Sequence, residues 1–175
     1  MFRRVGVADR AALLVAISSF AQATGGRLDV LFNNAGIDAE GTSETMAWEK
    51  VVGVVNVNVL GALSLIHGAI PQPTATKGSL CVSTASASAI FGAAGMAVYS
   101  ATKHAVKGFT EALAVELASA GAGSLDTLFS PVKDMVMLGL HAAFGHRVER
   151  VVCSLQPIDE RTARSRIALQ WVRID

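Results

Sequence analysis

Hydrophobic residues in this chain form short continuous runs, and longer segments of helical periodicity separate these runs. The runs "LDVLF" (residues 28–32) and "LCVSTAS" (residues 80–86) are bounded by glycine or polar residues, which predicts two buried strands. A third run, "LDTLF" (residues 125–129), is a further candidate strand. Strands without polar alternation are typical of parallel sheets covered by helices, so the pattern predicts an α/β fold.

Two of the predicted helices precede the second strand. Asp9 stands before "RAALLVAISSFA", where its carboxylate can accept the free N–H groups at the start of an amphipathic helix. The segment "TMAWEKVVGVVNVNVLGALSLIHGAIP" predicts a long helix that ends at Pro71 and is irregular near its valines.

A third helix is predicted from Val98 to about Ala118. An apolar ridge with four-residue spacing runs along it, and we expect this ridge to face the core while the polar residues lie off it. The ridge comprises Val98, Ala105, Phe109, Leu113 and Leu117, and the polar residues are Lys103, His104, Lys107 and Glu111.

The pattern weakens after Pro131, where segments become arginine-rich and lose clear periodicity. We expect residues 1–130 to form one domain and residues 131–175 to form an atypical tail that is partly disordered or helical. A short helix is predicted over residues 162–172.

The composition indicates extensive burial. Hydrophobic residues make up 51% of the chain and charged residues 17%, with a mean hydropathy of +0.45, whereas globular chains average about 25% charged residues. The net charge of +1 gives no sign of a nucleic-acid partner. Acids interrupt the arginines of the tail, which favours a solvated surface over a nucleic-acid patch. These acids are Glu149, Asp159 and Glu160.

The two cysteines, Cys81 and Cys153, are far apart and have no cluster of metal-ligating residues beside them. They are typical of reduced thiols, which predicts a cytoplasmic location and no metal site.

Two segments allow alternative interpretations. The N-terminal arginines, apolar run and Ala-x-Ala sequence are similar to a secretory signal peptide, but Asp9 and Arg10 interrupt the run, so we favour a capped helix. Residues 51–70 carry no formal charge and are long enough to span a bilayer. Because Asn56 and Asn58 would be costly in hydrocarbon, we favour a buried helix and no membrane contact.

Tyr99 and Lys103 are the candidate catalytic residues, since their four-residue spacing would place both side chains on one face of a helix. An ammonium held beside a phenol favours the phenolate, and such a tyrosine can exchange a proton with an alcohol or ketone oxygen. A nearby serine hydroxyl could stabilise charge on that oxygen, and Ser83, Ser86 and Ser88 follow or end the preceding strand. On its own, the Tyr-x-x-x-Lys pair could also be a tyrosine and a lysine on a helix surface.

Three motifs in order resemble the classical short-chain dehydrogenases/reductases, which are NAD(P)-dependent oxidoreductases on a Rossmann-type sheet. "LDVLFNNAG" resembles the Asn-Asn-Ala-Gly segment of that family, and "NVLGAL" resembles its Asn-x-x-Gly segment. "VSTASASAIFGAAGMAVYSATKHAVKGFTEALAVELA" resembles its serine strand and Tyr-x-x-x-Lys helix, with Ser86 at the usual thirteen residues before Tyr99.

The resemblance implies a role for each matching residue. Tyr99 would donate or accept the proton. Lys103 would favour the ionised form of Tyr99 and bind the nicotinamide ribose. Ser86 would orient the substrate oxygen. Asn58 would anchor a relay water. The cofactor would be NAD or NADP, held by Tyr99 and Lys103 and, beside the adenosine, by a turn formed by Asn33, Ala35 and Gly36. The substrate would be a small alcohol or carbonyl compound, and the two long helices would form a homo-oligomer.

The chain also departs from the family pattern. It contains no Thr-Gly-x-x-x-Gly-x-Gly turn, and "MFRRVGVADR" corresponds to the end of the family's third strand. We therefore expect a partial, doubly wound parallel sheet that lacks the first βαβ unit and leaves "LDVLF" unpaired on one side. Trp48 and Asn58 are ten residues apart instead of the usual seven, so Asn56 is a rival for the relay position. "LFSPVKDMVM" differs from the family's next strand.

Three functional hypotheses remain open from the sequence. The first is an oxidoreductase that transfers hydride between NAD(P) and an alcohol or carbonyl compound. The second is an inactive fragment or interaction subunit derived from that family, because the phosphate-binding turn is missing. The third is a small membrane protein anchored by residues 51–70.

Overall fold

Strands and helices alternate around one sheet in the computed structural model, which describes residues 3–71, 75–77, 79–118, 123–127, 151–154 and 167–172. The strands are β1 (Arg3–Val5), β2 (Val30–Asn33), β3 (Leu80–Thr84), β4 (Gly123–Thr127), β5 (Val151–Ser154) and β6 (Ile167–Val172). The helices are α1 (Arg10–Thr24), α2 (Trp48–Val55), α3 (Ala62–Ala69) and α4 (Ala97–Ala118). Asn56–Gly61 forms a π-helical turn between α2 and α3, and Ala87–Ala89 forms a 3-10 turn.

The strands pair in the order β1-β6-β5-β2-β3-β4. Strands β5, β2, β3 and β4 are mutually parallel, whereas β6 runs antiparallel to both β5 and β1. The predicted strands correspond to β2, β3 and β4, with bounds shifted by a few residues. The α/β fold with a mainly parallel Rossmann-type sheet is therefore confirmed.

The tail corrects two predictions. The expected open side of β2 was wrong, because β5 pairs with it in parallel from Val30 opposite Val151 to Phe32 opposite Cys153. The predicted helix was also wrong over residues 167–172, which form β6. Branched and aromatic side chains in this segment favour an extended backbone, and pairing with β1 and β5 provides hydrogen bonds on both sides. Predictions for residues 131–150, 155–166 and 173–175 lie outside the described residues.

Helix α1 begins where its sequence predicts. The Asp9 side chain accepts a hydrogen bond from the Ala12 N–H at 3.0 Å, which caps the first turn. Gly25 ends the helix with a positive φ of 64°, a conformation that glycine adopts without steric cost. The buried face of the helix consists of Leu13, Ala16, Ile17 and Phe20.

The apolar ridge predicted on α4 is correct only in the second half of the helix. Leu113 and Leu117 are buried, but Ala105 is exposed and Lys103 is 5% exposed. Because four residues turn an α-helix through more than 360°, a row with this spacing winds around the helix and leaves the core-facing side. The buried positions are Ser100, Thr102, Lys103, Val106, Thr110, Leu113 and Leu117.

The long helix has the irregularity predicted near its valines, since the π-helical turn interrupts it. In the part of the chain that the structure describes, Trp48–Ala69 is the one helix long and apolar enough to cross a bilayer, with a mean hydropathy of 1.7. Its residues Leu65 and Ile66 are at most 1% exposed, and they belong to a core that includes Leu13 and Leu31. The second half of the helix therefore packs as we expected of a buried helix, whereas only 39% of the apolar window as a whole is buried.

Gly61 allows the π-helical turn to approach the segment after β1. A Cβ at this position would lie 2.9 Å from the Val7 Cβ, closer than such atoms approach in proteins. We expect Gly61→Ala to lower the free energy of unfolding by about 1–3 kcal/mol, because neither backbone can easily move away. Gly53→Ala is the matched control, since an added Cβ there meets nothing within 4 Å. It should raise the stability by about 0.5–1 kcal/mol in urea denaturation, and equal effects of both substitutions would contradict the expectation.

Candidate active site

The carboxyl ends of β2 and β3 place two short polar segments side by side. The strands run in parallel register from Val30 opposite Leu80 to Asn33 opposite Ser83. Just beyond them, the Thr84 hydroxyl donates a hydrogen bond of 2.7 Å to the Asn34 side-chain oxygen. This contact joins the Asn-Asn-Ala-Gly turn to the end of β3, where ligands bind in open α/β sheets.

Asn33 lies at the entrance to this turn and is 4% exposed. Its Oδ1 atom is buried, and no described residue donates a hydrogen bond to it. Ala35 packs against the hydrophobic core, so its side chain supports the turn.

Asn58 fixes the other side of the turn from within the π-helical segment. Its Oδ1 accepts the Ile37 N–H at 2.8 Å, and its Nδ2 donates to the Ile37 carbonyl at 2.8 Å. The remaining Nδ2 hydrogen goes to the Thr102 Oγ1 at 3.1 Å. Both donor hydrogens of the carboxamide are therefore in use, which holds the 1% exposed side chain in one orientation.

The geometry favours Asn58 over Asn56 as the site residue, because Asn56 is only half-buried. The π-helical turn also changes the backbone at this point. The Ala62 N–H bonds to the Val59 carbonyl, whereas regular α-helical pairing would take it to the carbonyl of Asn58. Wide turns of this kind occur frequently at functional sites.

Helix α4 brings Tyr99 and Lys103 to the same place. The Lys103 Nζ lies 5.6 Å from the centroid of the Tyr99 ring and donates a hydrogen bond of 2.9 Å to the Thr84 carbonyl. Burial lowers the pKa of Lys103 from 10.5 to about 8, since a buried ammonium has lost most of its hydration. The helix thus holds a buried cation beside a half-buried phenol.

Gly36 borders both polar groups. A Cβ at this position would lie 3.4 Å from the Asn58 Oδ1 and 3.5 Å from the Lys103 Nζ. The glycine therefore keeps open the space between a carboxamide and an ammonium, two groups that can bind the hydroxyls of a sugar.

Ser86 follows β3 but is not joined to these groups by a hydrogen bond among the described residues. Its Oγ accepts the Ser88 N–H at 3.2 Å at the start of the 3-10 turn. Ser83, which the sequence also offered, is fully buried within the sheet. The structure therefore brings together Asn58, Tyr99, Lys103 and Gly36, and Ser86 lies two residues after the end of β3.

Two groups that form hydrogen bonds in the site were not predicted from the sequence. The Thr84 carbonyl accepts the Lys103 hydrogen bond, and the Thr102 hydroxyl contacts Asn58. A backbone acceptor leaves no signal in a sequence. The position of Thr102 immediately before Lys103 was visible, but its contact depends on the packing of two helices.

The sequence model described as short chain dehydrogenase matches residues 1–122. The chain belongs to the short-chain dehydrogenase family. This result confirms the resemblance carried by the three motifs, and the residues of the described site lie within the matched range.

Known family members match part of this chain and are longer. A cyclohexanol dehydrogenase from an Acinetobacter species is 37% identical over 103 residues, which cover 58% of this chain and 41% of the relative. Among solved structures, a 3-ketoacyl-(acyl-carrier-protein) reductase from Brucella melitensis complexed with NADH has a TM-score of 0.64 at 28% identity. The match covers 69% of this chain and 51% of the reductase. A short chain dehydrogenase from Burkholderia cenocepacia in complex with NADP has a TM-score of 0.64 at 31% identity, with coverage of 71% and 50%.

The chain spans 34% to 41% of the length of two curated relatives, the cyclohexanol dehydrogenase and a 3-ketodihydrosphingosine reductase from Bacteroides thetaiotaomicron. The matched region is therefore less than half of each relative.

Proposed function

We propose that this chain forms the proton-transferring part of an NAD(P)-dependent oxidoreductase that interconverts an alcohol and a carbonyl compound. The observation that carries the proposal is the buried Lys103 ammonium, held by the Thr84 carbonyl beside the Tyr99 ring. The cyclohexanol dehydrogenase and the NADH- and NADP-bound relatives support the same class of reaction.

The residues present fit two parts of a dinucleotide, the nicotinamide ribose and the adenosine side. Gly36 keeps space open between Asn58 and Lys103, and the buried Asn33 Oδ1 retains acceptor capacity among the described residues. Lys103 would bind the ribose of the nicotinamide, and Asn33, Ala35 and Gly36 would border the adenosine side. When bound, the nicotinamide accepts or supplies the hydride of the carbinol carbon.

Tyr99 performs the accompanying proton transfer in this proposal. During alcohol oxidation its phenolic oxygen takes the hydroxyl proton while the hydride leaves the carbinol carbon, so a C=O bond forms. During carbonyl reduction the same oxygen returns the proton. The Lys103 ammonium stabilises negative charge on the phenolic oxygen, because buried charges interact strongly.

Ser86 and Asn58 have supporting roles. The Ser86 hydroxyl would donate to the substrate oxygen and hold it towards Tyr99. Asn58 would anchor a relay water, and the π-helical turn that contains it supports this role, since such turns occur frequently at functional sites.

The second hypothesis from the sequence is a family-derived chain that does not bind the cofactor. The sequence has no glycine-rich turn whose backbone N–H groups could hold the pyrophosphate. This candidate predicts that the chain binds neither NADH nor NADPH. The hydrogen bonds within the candidate site would be the same in this case.

Titration with NADH and NADPH decides between the two candidates. We expect dissociation constants in the micromolar range by fluorescence or calorimetry, and we expect Gly36→Val to weaken binding at least tenfold. The valine side chain would occupy the space between Asn58 and Lys103. Gly108→Ala on α4 is the control, because an added Cβ there meets nothing within 4 Å. Absence of binding by the wild-type chain would support the inactive candidate.

The homo-oligomer and the cytoplasmic location remain proposals. Exposed apolar residues on the long helices support association, since such a surface is unfavourable in water, and sedimentation velocity would show whether the purified chain is a monomer. These residues are Trp48, Val52, Val55, Leu60 and Val115, with Trp48 71% and Val115 78% exposed.

A further inference from the structure

Thr102 occupies an unusual position between two residues of the site. It is 2% exposed, and its hydroxyl makes two hydrogen bonds at once. Its Oγ1 accepts from the Asn58 Nδ2 at 3.1 Å and donates to the Tyr99 carbonyl at 2.7 Å. A threonine hydroxyl has one donor hydrogen and two acceptor lone pairs, so this arrangement satisfies the group.

The first of these bonds completes the hydrogen bonding of Asn58. The other Nδ2 hydrogen and the Oδ1 atom bond to the backbone of Ile37. Without the Thr102 hydroxyl, one buried N–H of the carboxamide would have no acceptor among the described residues. Burying such a group without a partner is unfavourable, so Asn58 would rotate or admit water.

The second bond reaches the helical turn that carries the proton-transferring pair. The Tyr99 carbonyl belongs to the turn of α4 that ends at Lys103. The Thr102 hydroxyl therefore connects the π-helical turn to the backbone between Tyr99 and Lys103. A shift of either segment would stretch this connection.

We propose that Thr102 is a positioning residue that fixes Asn58 relative to Tyr99 and Lys103. Thr102 is 2% exposed, and it acts through the Asn58 carboxamide and the Tyr99 carbonyl. Its effect on turnover rests on the proposed function, whereas its effect on Asn58 can be measured independently.

Thr110 provides a matched control on the same helix. It is 1% exposed, and its hydroxyl donates to the Val106 carbonyl at 2.8 Å without contacting Asn58. Replacing Thr102 or Thr110 by valine removes one buried hydroxyl of similar local geometry. Thr102→Ser keeps the hydroxyl and should restore the wild-type behaviour.

The direct measurement is the side-chain amide spectrum of protein labelled with ¹⁵N-asparagine. The chain has four asparagines, namely Asn33, Asn34, Asn56 and Asn58, so four pairs of signals are expected. Asn58→Asp assigns the pair of interest. We expect Thr102→Val to shift this pair and to speed its exchange with deuterium about tenfold, whereas Thr102→Ser and Thr110→Val retain the wild-type signals.

Turnover provides the second measurement. We expect Thr102→Val to lower kcat about tenfold with little change in KM for the cofactor, and Thr102→Ser to recover most of that loss. Thr110→Val should retain the wild-type kcat. If Thr102→Val does not fold, Thr102→Ala replaces it in both measurements.

The outcomes separate the two proposals. The positioning role would be overturned if Thr102→Val left the two side-chain amide signals of Asn58 unchanged. It would also be overturned if Thr110→Val changed these signals to the same extent. A wild-type chain without turnover would contradict the proposed function, and the amide spectrum would still decide whether Thr102 holds Asn58. A Thr102→Ser variant that behaves like Thr102→Val would also overturn the inference.

Discussion

Tyr99→Phe should lower turnover by about a hundred- to ten-thousandfold, the range in which a positioned general acid or base contributes. The substitution removes one oxygen atom and keeps the ring, which is half-buried and lies beside the Lys103 Nζ. We expect little change in the dissociation constant of NADPH, because the ammonium and Gly36 remain. The measurement is steady-state reduction of a carbonyl substrate, followed through NADPH absorbance.

Ser100→Ala is the control for this result. Ser100 is the next residue of α4 and is 6% exposed, and its side-chain oxygen has no hydrogen-bonding partner among the described residues. Its loss should leave kcat within about twofold of the wild-type value. Equal activity of Tyr99→Phe and the wild-type chain would remove Tyr99 from the proton-transfer step.

Lys103→Met should abolish most of the activity and remove a pH dependence of stability. The folded chain releases the Lys103 proton near pH 8, whereas the ordinary pKa of lysine is 10.5. Between these values the unfolded chain binds more protons than the folded chain, so the Lys103 contribution to the free energy of unfolding rises with pH. We expect the wild-type chain to gain about 2 kcal/mol relative to Lys103→Met between roughly pH 7 and pH 10.

The comparison with the variant removes the contribution of Cys81. Burial raises the pKa of the Cys81 thiol to about 11, so this group makes the folded chain bind more protons above the ordinary thiol pKa and lowers stability as pH rises. Because both proteins contain Cys81, its effect cancels in the difference. Parallel stability curves from urea denaturation would show that Lys103 titrates as an ordinary exposed lysine.

The fold could be predicted where local pattern and tertiary packing agree. A capping carboxylate predicts the start of α1, and short apolar runs predict the strands β2 and β3. A run of valines and a helix-ending proline predict the irregular long helix. The motif spacing also indicated the candidate site residues, and the structure places Asn58 and Lys103 beside Gly36 and the Tyr99 ring beside Lys103.

Other features depend on contacts that are remote in the sequence. The strand β6 lies in a segment whose weak periodicity was interpreted as a helix, and its extended conformation is stabilised by pairing with β1 and β5. The buried side of α4 was missed in its first half, because Lys103 is buried by its bond to the Thr84 carbonyl rather than by apolar character. The connection from Asn58 through Thr102 to Tyr99 likewise appears only when two helices are packed together.

The π-helical turn solves a problem of phase along the long helix. In a regular α-helix each residue adds about 100° of rotation, so the direction of one side chain determines the directions of all later ones. The wide turn at Asn56–Gly61 breaks this dependence between the parts of the helix before and after it. Asn58 can then face Ile37 while Leu65 and Ile66 face the core. Removal of one residue from this turn should therefore rotate the part of the helix before it by about 100° relative to the part after it.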